Sequence, residues 1–254
     1  MFSSSLGKKY LMALTGLVLI GFVFVHMAGN LQVLAGQAQI NAYAHSLQTL
    51  PWFILWGSRL FLLASVVIHA WTAYSLIIEN RKARPDNNEV EVTKRAGWTS
   101  LKMGLTGSIL LAFIVFHLLH FTIRTIYPEY AEMTTTVGST GDFEIHDAFS
   151  MILAGFKHEI ISVFYVVAMF LLCRHLAHGF SSVFQSIGLR TEAWQRKLNL
   201  IASGYAWIIF AGFSIVPVSV LAQKHGLYEF YDPSFFVSEV SEKNNTSNLL
   251  NNES

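Results

Sequence analysis

Residues 14–26, LTGLVLIGFVFVH, return later in the chain as residues 105–117, LTGSILLAFIVFH. In both copies Leu-Thr-Gly opens an apolar run, and a histidine follows ten residues after the glycine. A histidine within a long apolar run is costly unless a partner holds its ring nitrogens. Two such histidines at matching positions therefore predict two related membrane helices that grip one shared group.

The composition favours a membrane protein. Of the 254 residues, 53% are hydrophobic and 13% are charged, whereas soluble domains carry roughly 25% charged residues. Several runs exceed the ~18 apolar residues that indicate a membrane span. The net charge of +1 gives no indication of nucleic-acid binding. With Cys173 as the single cysteine, this chain has no internal disulfide, no covalent haem site of the CxxCH type and no cysteine-held iron–sulfur cluster.

The hydropathy pattern predicts an all-α integral membrane protein with five transmembrane helices in a bundle. The predicted spans are about 10–29, 53–78, 101–123, 159–184 and 198–222, which makes residues 1–222 one membrane domain and 223–254 a polar tail. Residues 38–52 are predicted to form a short helix at the outer surface. Pro217 predicts a kink or an early end of the last helix.

The basic residues predict the orientation. Eleven of the seventeen lysines and arginines lie on one side of the predicted bundle: Lys8, Lys9, Arg81, Lys82, Arg84, Lys94, Arg95, Lys102, Arg190, Arg196 and Lys197. The loop 30–52 on the other side has none. Because basic loops stay inside, we expect a cytoplasmic N-terminus in a multi-pass protein of the cell inner membrane.

A second repeat links the second and fourth spans. HAWTAYSLIIENR runs from His69 to Arg81, and HGFSSVFQSIGLR runs from His178 to Arg190. In both, the arginine stands twelve residues after the histidine. The pattern divides the first four spans into two related halves, in which each helix supplies one histidine.

The depths of these histidines predict how they pair. At about 1.5 Å per residue, His26 and His117 lie about 24 Å from the inner edge of a hydrocarbon core about 30 Å thick. His69 and His178 lie on helices of the opposite direction, about 24–28 Å from the outer edge. We expect an outer pair, His26 with His117, and an inner pair, His69 with His178, offset by roughly 18–22 Å.

Each pair suits the axial ligation of one haem b. Imidazole is a common ligand of iron, and two axial histidines leave the iron no open position, which favours electron transfer over oxygen chemistry. A zinc site would need a third or fourth ligand at the same depth, and no cluster of Asp, Glu or Cys supplies one. The sequence therefore predicts two haems across the bilayer.

Four further residues have predicted roles beside the haems. Gly16 and Gly107 would leave room at the level of the inner haem, or alternatively serve close helix packing. Arg59 near the outer haem and Arg174 near the inner haem would meet haem propionates, unless they pair with a dipole in the membrane or extend to its surface.

Two neighbouring histidines compete for the ligand positions. His120 lies one turn beyond His117, but only His117 has the Thr-Gly spacing. His175 and His178 share a helix face, and the spacing to Arg190 and the glycine that follows favour His178.

At these residues the chain resembles the membrane anchor subunit of succinate:quinone oxidoreductases, the single-chain, five-helix, di-haem cytochrome b of the b558 type. The motifs are TGLVLIGFVFVHMAGN, HAWTAYSLIIENRKARP, TGSILLAFIVFHLLHF and HGFSSVFQSIG, within about residues 5–222. The resemblance implies a flavoprotein subunit that oxidises succinate or reduces fumarate, and an iron–sulfur subunit on the cytoplasmic side. It places His69 and His178 at the haem nearer that subunit, and it implies a quinone, commonly menaquinone, and a role in the respiratory chain and the tricarboxylic acid cycle.

The quinone would react near the outer haem, where its carbonyl oxygens need hydrogen-bond donors. The candidate residues are Asn30, Gln32, Tyr43, His45 and His120.

Two other functions stay open. One is a di-haem cytochrome b of another dehydrogenase, of the formate dehydrogenase or hydrogenase type. The other is a haem-free transporter or proton channel that uses the intramembrane histidines as a relay.

Overall fold

The computed structural model describes residues 4–83, 91–137, 143–186, 188, 191–227 and 229, with the backbone alone for residues 91–102 and 192. Arg190 and most of the polar tail, residues 230–254, lie outside the described residues. The predictions made for them therefore stay predictions.

Seven α-helices make up most of the described chain. They are α1 (Ser5–Asn30), α2 (Gln37–Gln48), α3 (Trp52–Lys82), α4 (Glu91–His117), α5 (Ala148–Lys157), α6 (Glu159–Ser186) and α7 (Glu192–Lys224). The shorter elements are 3-10 turns at Leu31–Ala35 and Pro128–Ala131, a π turn at Leu118–Thr122, and the antiparallel strands β1 (Thr134–Val137) and β2 (Phe143–His146).

Five of these helices are long and apolar enough to cross a membrane, which confirms the five predicted spans. Their outward faces carry large apolar side chains that a soluble monomer does not expose in such numbers. Examples are Leu14, Leu17, Leu60, Phe61, Val67, Leu105, Ile160, Val163, Leu200 and Ile208. The chain is a multi-pass membrane protein by these criteria.

The five long helices pack pairwise into a bundle. The most extensive contact joins α6 to α7, and α1 packs on α3 and α6. Ala202 and Ala206 on α7 are wholly buried, because small side chains let membrane helices approach closely. The Tyr205 hydroxyl beside them donates a 2.6 Å hydrogen bond to the Ile20 carbonyl of α1.

Two helix ends differ from a regular α-helix. α4 widens into the π turn at Leu118–Thr122, directly after His117. α7 continues through Pro217 to Lys224, so the predicted early end does not occur. A membrane helix tolerates the loss of the hydrogen bond that a proline removes, because neighbouring helices, Ser or Thr side chains and local adjustments of the backbone can satisfy the freed carbonyl group.

The end of the bundle predicted to face outward carries a folded cap. The predicted surface helix is present as α2, and the described residues between 128 and 157 form a 3-10 turn, the paired strands β1 and β2, and α5. Asp147 joins these parts. Its carboxylate accepts hydrogen bonds from Asn41 and Gln37 of α2, both at 2.8 Å, and from the Ser150 hydroxyl of α5 at 2.6 Å.

A second set of bonds completes the cap. The buried Asn41 accepts from the Phe149 backbone N–H at 3.0 Å, so its amide is bonded on both sides. Burial alone would raise the pKa of Asp147, but the hydrogen bonds from Ser150, Asn41 and Gln37 outweigh it and hold that pKa below its usual range. The cap therefore closes over the end of the bundle around one ionised carboxylate.

Candidate functional site

The structure brings the outer histidine pair together. His26 on α1 and His117 on α4 face each other with ring centroids 5.8 Å apart and planes at 75°. Phe213 of α7 lies 5.7 Å from the His26 ring, and Phe113 lies 6.0 Å from the His117 ring. Two imidazoles from different helices thus meet inside an aromatic environment.

The inner pair differs from the sequence prediction. His69 on α3 faces His175 of α6, with ring centroids 6.4 Å apart, whereas His178 occupies an exposed position. Side chains three positions apart on an α-helix point in directions that differ by about 60° around the helix axis. The buried face of α6 runs through Met169 and Leu176, and His178 lies outside that face on an exposed part of the helix. His175 therefore replaces His178 in the inner pair.

The first Thr-Gly motif packs against the inner pair. The position of a Cβ on Gly16 would lie 3.3 Å from His69 Cε1, so the glycine allows the ring to approach α1. His69 Nδ1 lies 3.2 Å from the Met12 carbonyl oxygen and 3.4 Å from Thr15 Oγ1. When the His69 ring carries its hydrogen on Nδ1, this N–H donates to these oxygens.

The second Thr-Gly motif repeats this arrangement. Thr106 Oγ1 lies 3.4 Å from His175 Nδ1, and a Cβ on Gly107 would lie 3.5 Å from His175 Cε1. The two copies of the motif therefore serve the same histidine pair from two sides. The sequence interpretation missed Thr15 and Thr106, although a threonine precedes the glycine in both copies.

These donors fit a haem with two axial histidines. A metal about 2 Å from an imidazole nitrogen on either side would hold two ring centroids roughly 6 Å apart, and the observed separations are 5.8 and 6.4 Å. The Nδ1 atoms of His69, His175 and His117 lie against oxygen atoms, which leaves each Nε2 for iron. The described residues contain no group of three or more His, Cys, Asp or Glu side chains that could bind a bare metal ion.

His120 has a different environment from the four paired histidines. It is wholly buried, and its Nδ1 lies 2.9 Å from the Tyr165 hydroxyl. That hydroxyl also lies 3.4 Å from His117 Nδ1. His120 Nε2 is buried, with no hydrogen-bond partner among the described residues. Tyr165 was not predicted, and no repeat in the sequence marks it.

Two of the predicted quinone residues lie at the outer pair. The Asn30 amide donates to the His26 carbonyl at 2.8 Å, and its nitrogen lies 3.3 Å from His26 Nε2 and 3.4 Å from His26 Nδ1. The Tyr43 hydroxyl packs on α1 so closely that a Cβ on Gly29 would lie 2.6 Å from it. These contacts place Asn30 beside the His26 ring and Tyr43 against Gly29, three residues after His26 on α1.

The contacts of the other predicted residues do not bring them to either histidine pair. Gln32 accepts a 2.9 Å hydrogen bond from Gln39, and His45 is exposed. The Arg59 guanidinium lies 5.1 Å from the Trp56 ring centroid on an exposed face of α3. Arg174 is exposed on α6. Their predicted contacts with quinone or haem propionates stay predictions.

No protein-family model, curated protein or solved structure matches this chain. Function must therefore be inferred from the two histidine pairs and from the residues that hold them.

Proposed function

We propose that this chain is the membrane-anchor cytochrome b of a succinate:quinone oxidoreductase. It would carry electrons through two b-type haems, between an iron–sulfur subunit and a membrane quinone. One observation supports this most strongly. Four helices supply four histidines that face each other as two pairs, His26 with His117 and His69 with His175. The four ordered motifs favour this complex over other di-haem cytochromes.

The histidine pairs would hold the haems through their Nε2 atoms. When bound, the haems would supply one-electron transfer, with the paired histidines as the ligands of the iron. The chain itself fixes the ligands. The Met12 carbonyl and Thr15 hold the tautomer and orientation of His69, and Thr106 does so for His175. Such partners raise the basicity of a ligating imidazole.

The partners would bind at opposite sides of the bundle. The basic ends of the helices would face the cytoplasm and dock the iron–sulfur and flavoprotein subunits, as their positive charge favours. An ion pair between Lys8 of α1 and Glu79 of α3 joins two helices at that end. The quinone, in this proposal menaquinone, would react at the outer pair, where Asn30 and Tyr43 supply hydrogen-bond donors.

A reduced-minus-oxidised spectrum of the purified complex tests the proposal. We expect b-type bands, two haems per chain, and co-purification with a flavin-containing and an iron–sulfur subunit. Two haems with a flavin-free partner would assign the chain to another dehydrogenase. Absence of haem from the purified native complex would exclude a cytochrome and favour a transporter that uses its histidines as a relay.

A further inference from the structure

Tyr165 of α6 lies between two histidines of α4. Its hydroxyl lies 3.4 Å from His117 Nδ1 and 2.9 Å from His120 Nδ1. Both Tyr165, at 6% exposure, and His120, at 0%, are buried. Three polar groups thus form a connected line within the membrane, where unpaired polar groups are costly.

Metal binding by His117 would fix which group donates and which accepts in each of these hydrogen bonds. A histidine that ligates a metal through Nε2 carries its hydrogen on Nδ1. His117 Nδ1–H then donates to the Tyr165 oxygen, and the one phenolic hydrogen of Tyr165 must donate to His120 Nδ1. The reverse direction would place the hydrogen of His117 on Nε2 and block that atom as a ligand.

We infer that Tyr165 is a positioning residue for the outer haem ligand His117, and that His120 anchors Tyr165 rather than binding iron. The inference rests on the proposed function, because it requires haem at the outer pair. It gives His120 a role that neither ligand pairing nor quinone binding supplies. It also sets the outer pair apart from the inner pair, whose Nδ1 atoms lie near a carbonyl and threonine hydroxyls.

The packing around Tyr165 holds this geometry. Aromatic rings enclose it: Phe113, Phe116, Phe121 and Phe156 all have centroids within 5.0–6.0 Å of the tyrosine ring. A Cβ on Gly155 would lie 3.3 Å from His120 Cε1, so α5 also confines the imidazole. The π turn at Leu118–Thr122 places His120 within this cluster, and such turns are frequent at functional sites.

The first test compares Tyr165→Phe with Tyr205→Phe, which removes a partly buried hydroxyl that also donates a hydrogen bond. A hydrogen-bond acceptor on Nδ1 makes the imidazole a stronger donor to iron and favours the oxidised form. We therefore expect Tyr165→Phe to raise the midpoint potential of the outer haem and to weaken its retention by about 10-fold to 100-fold. The inner haem should stay unchanged, and Tyr205→Phe should change neither haem.

The second test asks whether an acceptor at position 120 is enough. Glutamine can accept the Tyr165 hydrogen through its amide oxygen, whereas leucine cannot. His120→Leu should reproduce the shift of Tyr165→Phe, and His120→Gln should restore the native outer-haem potential and spectrum.

The outcomes separate this inference from the proposed function. Native protein without haem would overturn both. A native protein with two haems, and an outer potential unchanged in Tyr165→Phe, would overturn the positioning role alone. Loss of the whole outer haem in both His120→Leu and His120→Gln, matching His117→Leu, would show that His120 is a ligand.

Discussion

At the scale of single residues, the imidazole of His175 should be required for the proposed inner haem. His175 lies opposite His69 with Nδ1 near Thr106, whereas His178 is exposed three residues further along α6. We expect His175→Ala to lower the haem content from two to one per chain, and the matched variant His178→Ala to keep two. Haem extraction and spectral quantification measure this. The opposite result would restore the sequence prediction of His178.

Glycine at position 29 should be required by Tyr43. A Cβ there would lie 2.6 Å from the Tyr43 hydroxyl, whereas a Cβ on Gly21 of the same helix would have no atom within 4 Å. We expect Gly29→Ala to destabilise the protein by about 1–3 kcal/mol, as overpacking of a filled site does. Gly21→Ala should be neutral. Thermal unfolding in detergent compares the two, and equal midpoints would show that Tyr43 moves freely.

At the scale of elements, Asp147 should determine how firmly the cap holds α2 and α5 together. Asp147→Ala would leave the buried Asn41 amide without its acceptor and remove the N-terminal cap of α5. We expect the free energy of unfolding to fall by about 1–3 kcal/mol, as measured by thermal unfolding. The exposed Glu132 in the same segment provides the control, because Glu132→Ala removes a carboxylate without breaking this network. Similar losses in both variants would mean that the network contributes little.

The same carboxylate predicts a pH dependence of the cap. The pKa of Asp147 is lower in the folded chain than in the unfolded one, so its contribution is fully present above the unfolded pKa of about 3.9. That contribution is lost as the pH falls through the lower, folded pKa. The native protein should therefore be more stable than Asp147→Asn at pH 6, and this difference should shrink below about pH 4. Unfolding midpoints measured from pH 6 to pH 3 test this, and a constant difference would contradict it.

At the scale of the whole molecule, the proposed orientation can be tested by labelling. Thr49 lies in the exposed α2–α3 connection and Thr191 is exposed at the start of α7, while the native Cys173 is buried. We expect a membrane-impermeant maleimide to label Thr49→Cys in intact cells and Thr191→Cys only after lysis. The native protein should stay unlabelled. Labelling of Thr191→Cys in intact cells would reverse the orientation.

The sequence alone was sufficient for the five spans and for the pairing of His26 with His117. Long apolar runs must become helices in lipid, because only a helix satisfies its own backbone groups there. The constant rise of 1.5 Å per residue then converts a position in the chain into a depth. Both are local properties, so two copies of one motif were enough to place two histidines at one level.

The tertiary structure alone decided the rotation of the helices and the partners of the rings. α6 is apolar on most of its circumference, so no stripe in its sequence shows which side faces the bundle. Packing against α7, α1 and α4 turns His175 toward His69 and leaves His178 exposed. The line from His117 through Tyr165 to His120 joins residues more than forty positions apart. Such contacts depend on how separate helices pack, and the spacing of residues within one helix does not contain that information.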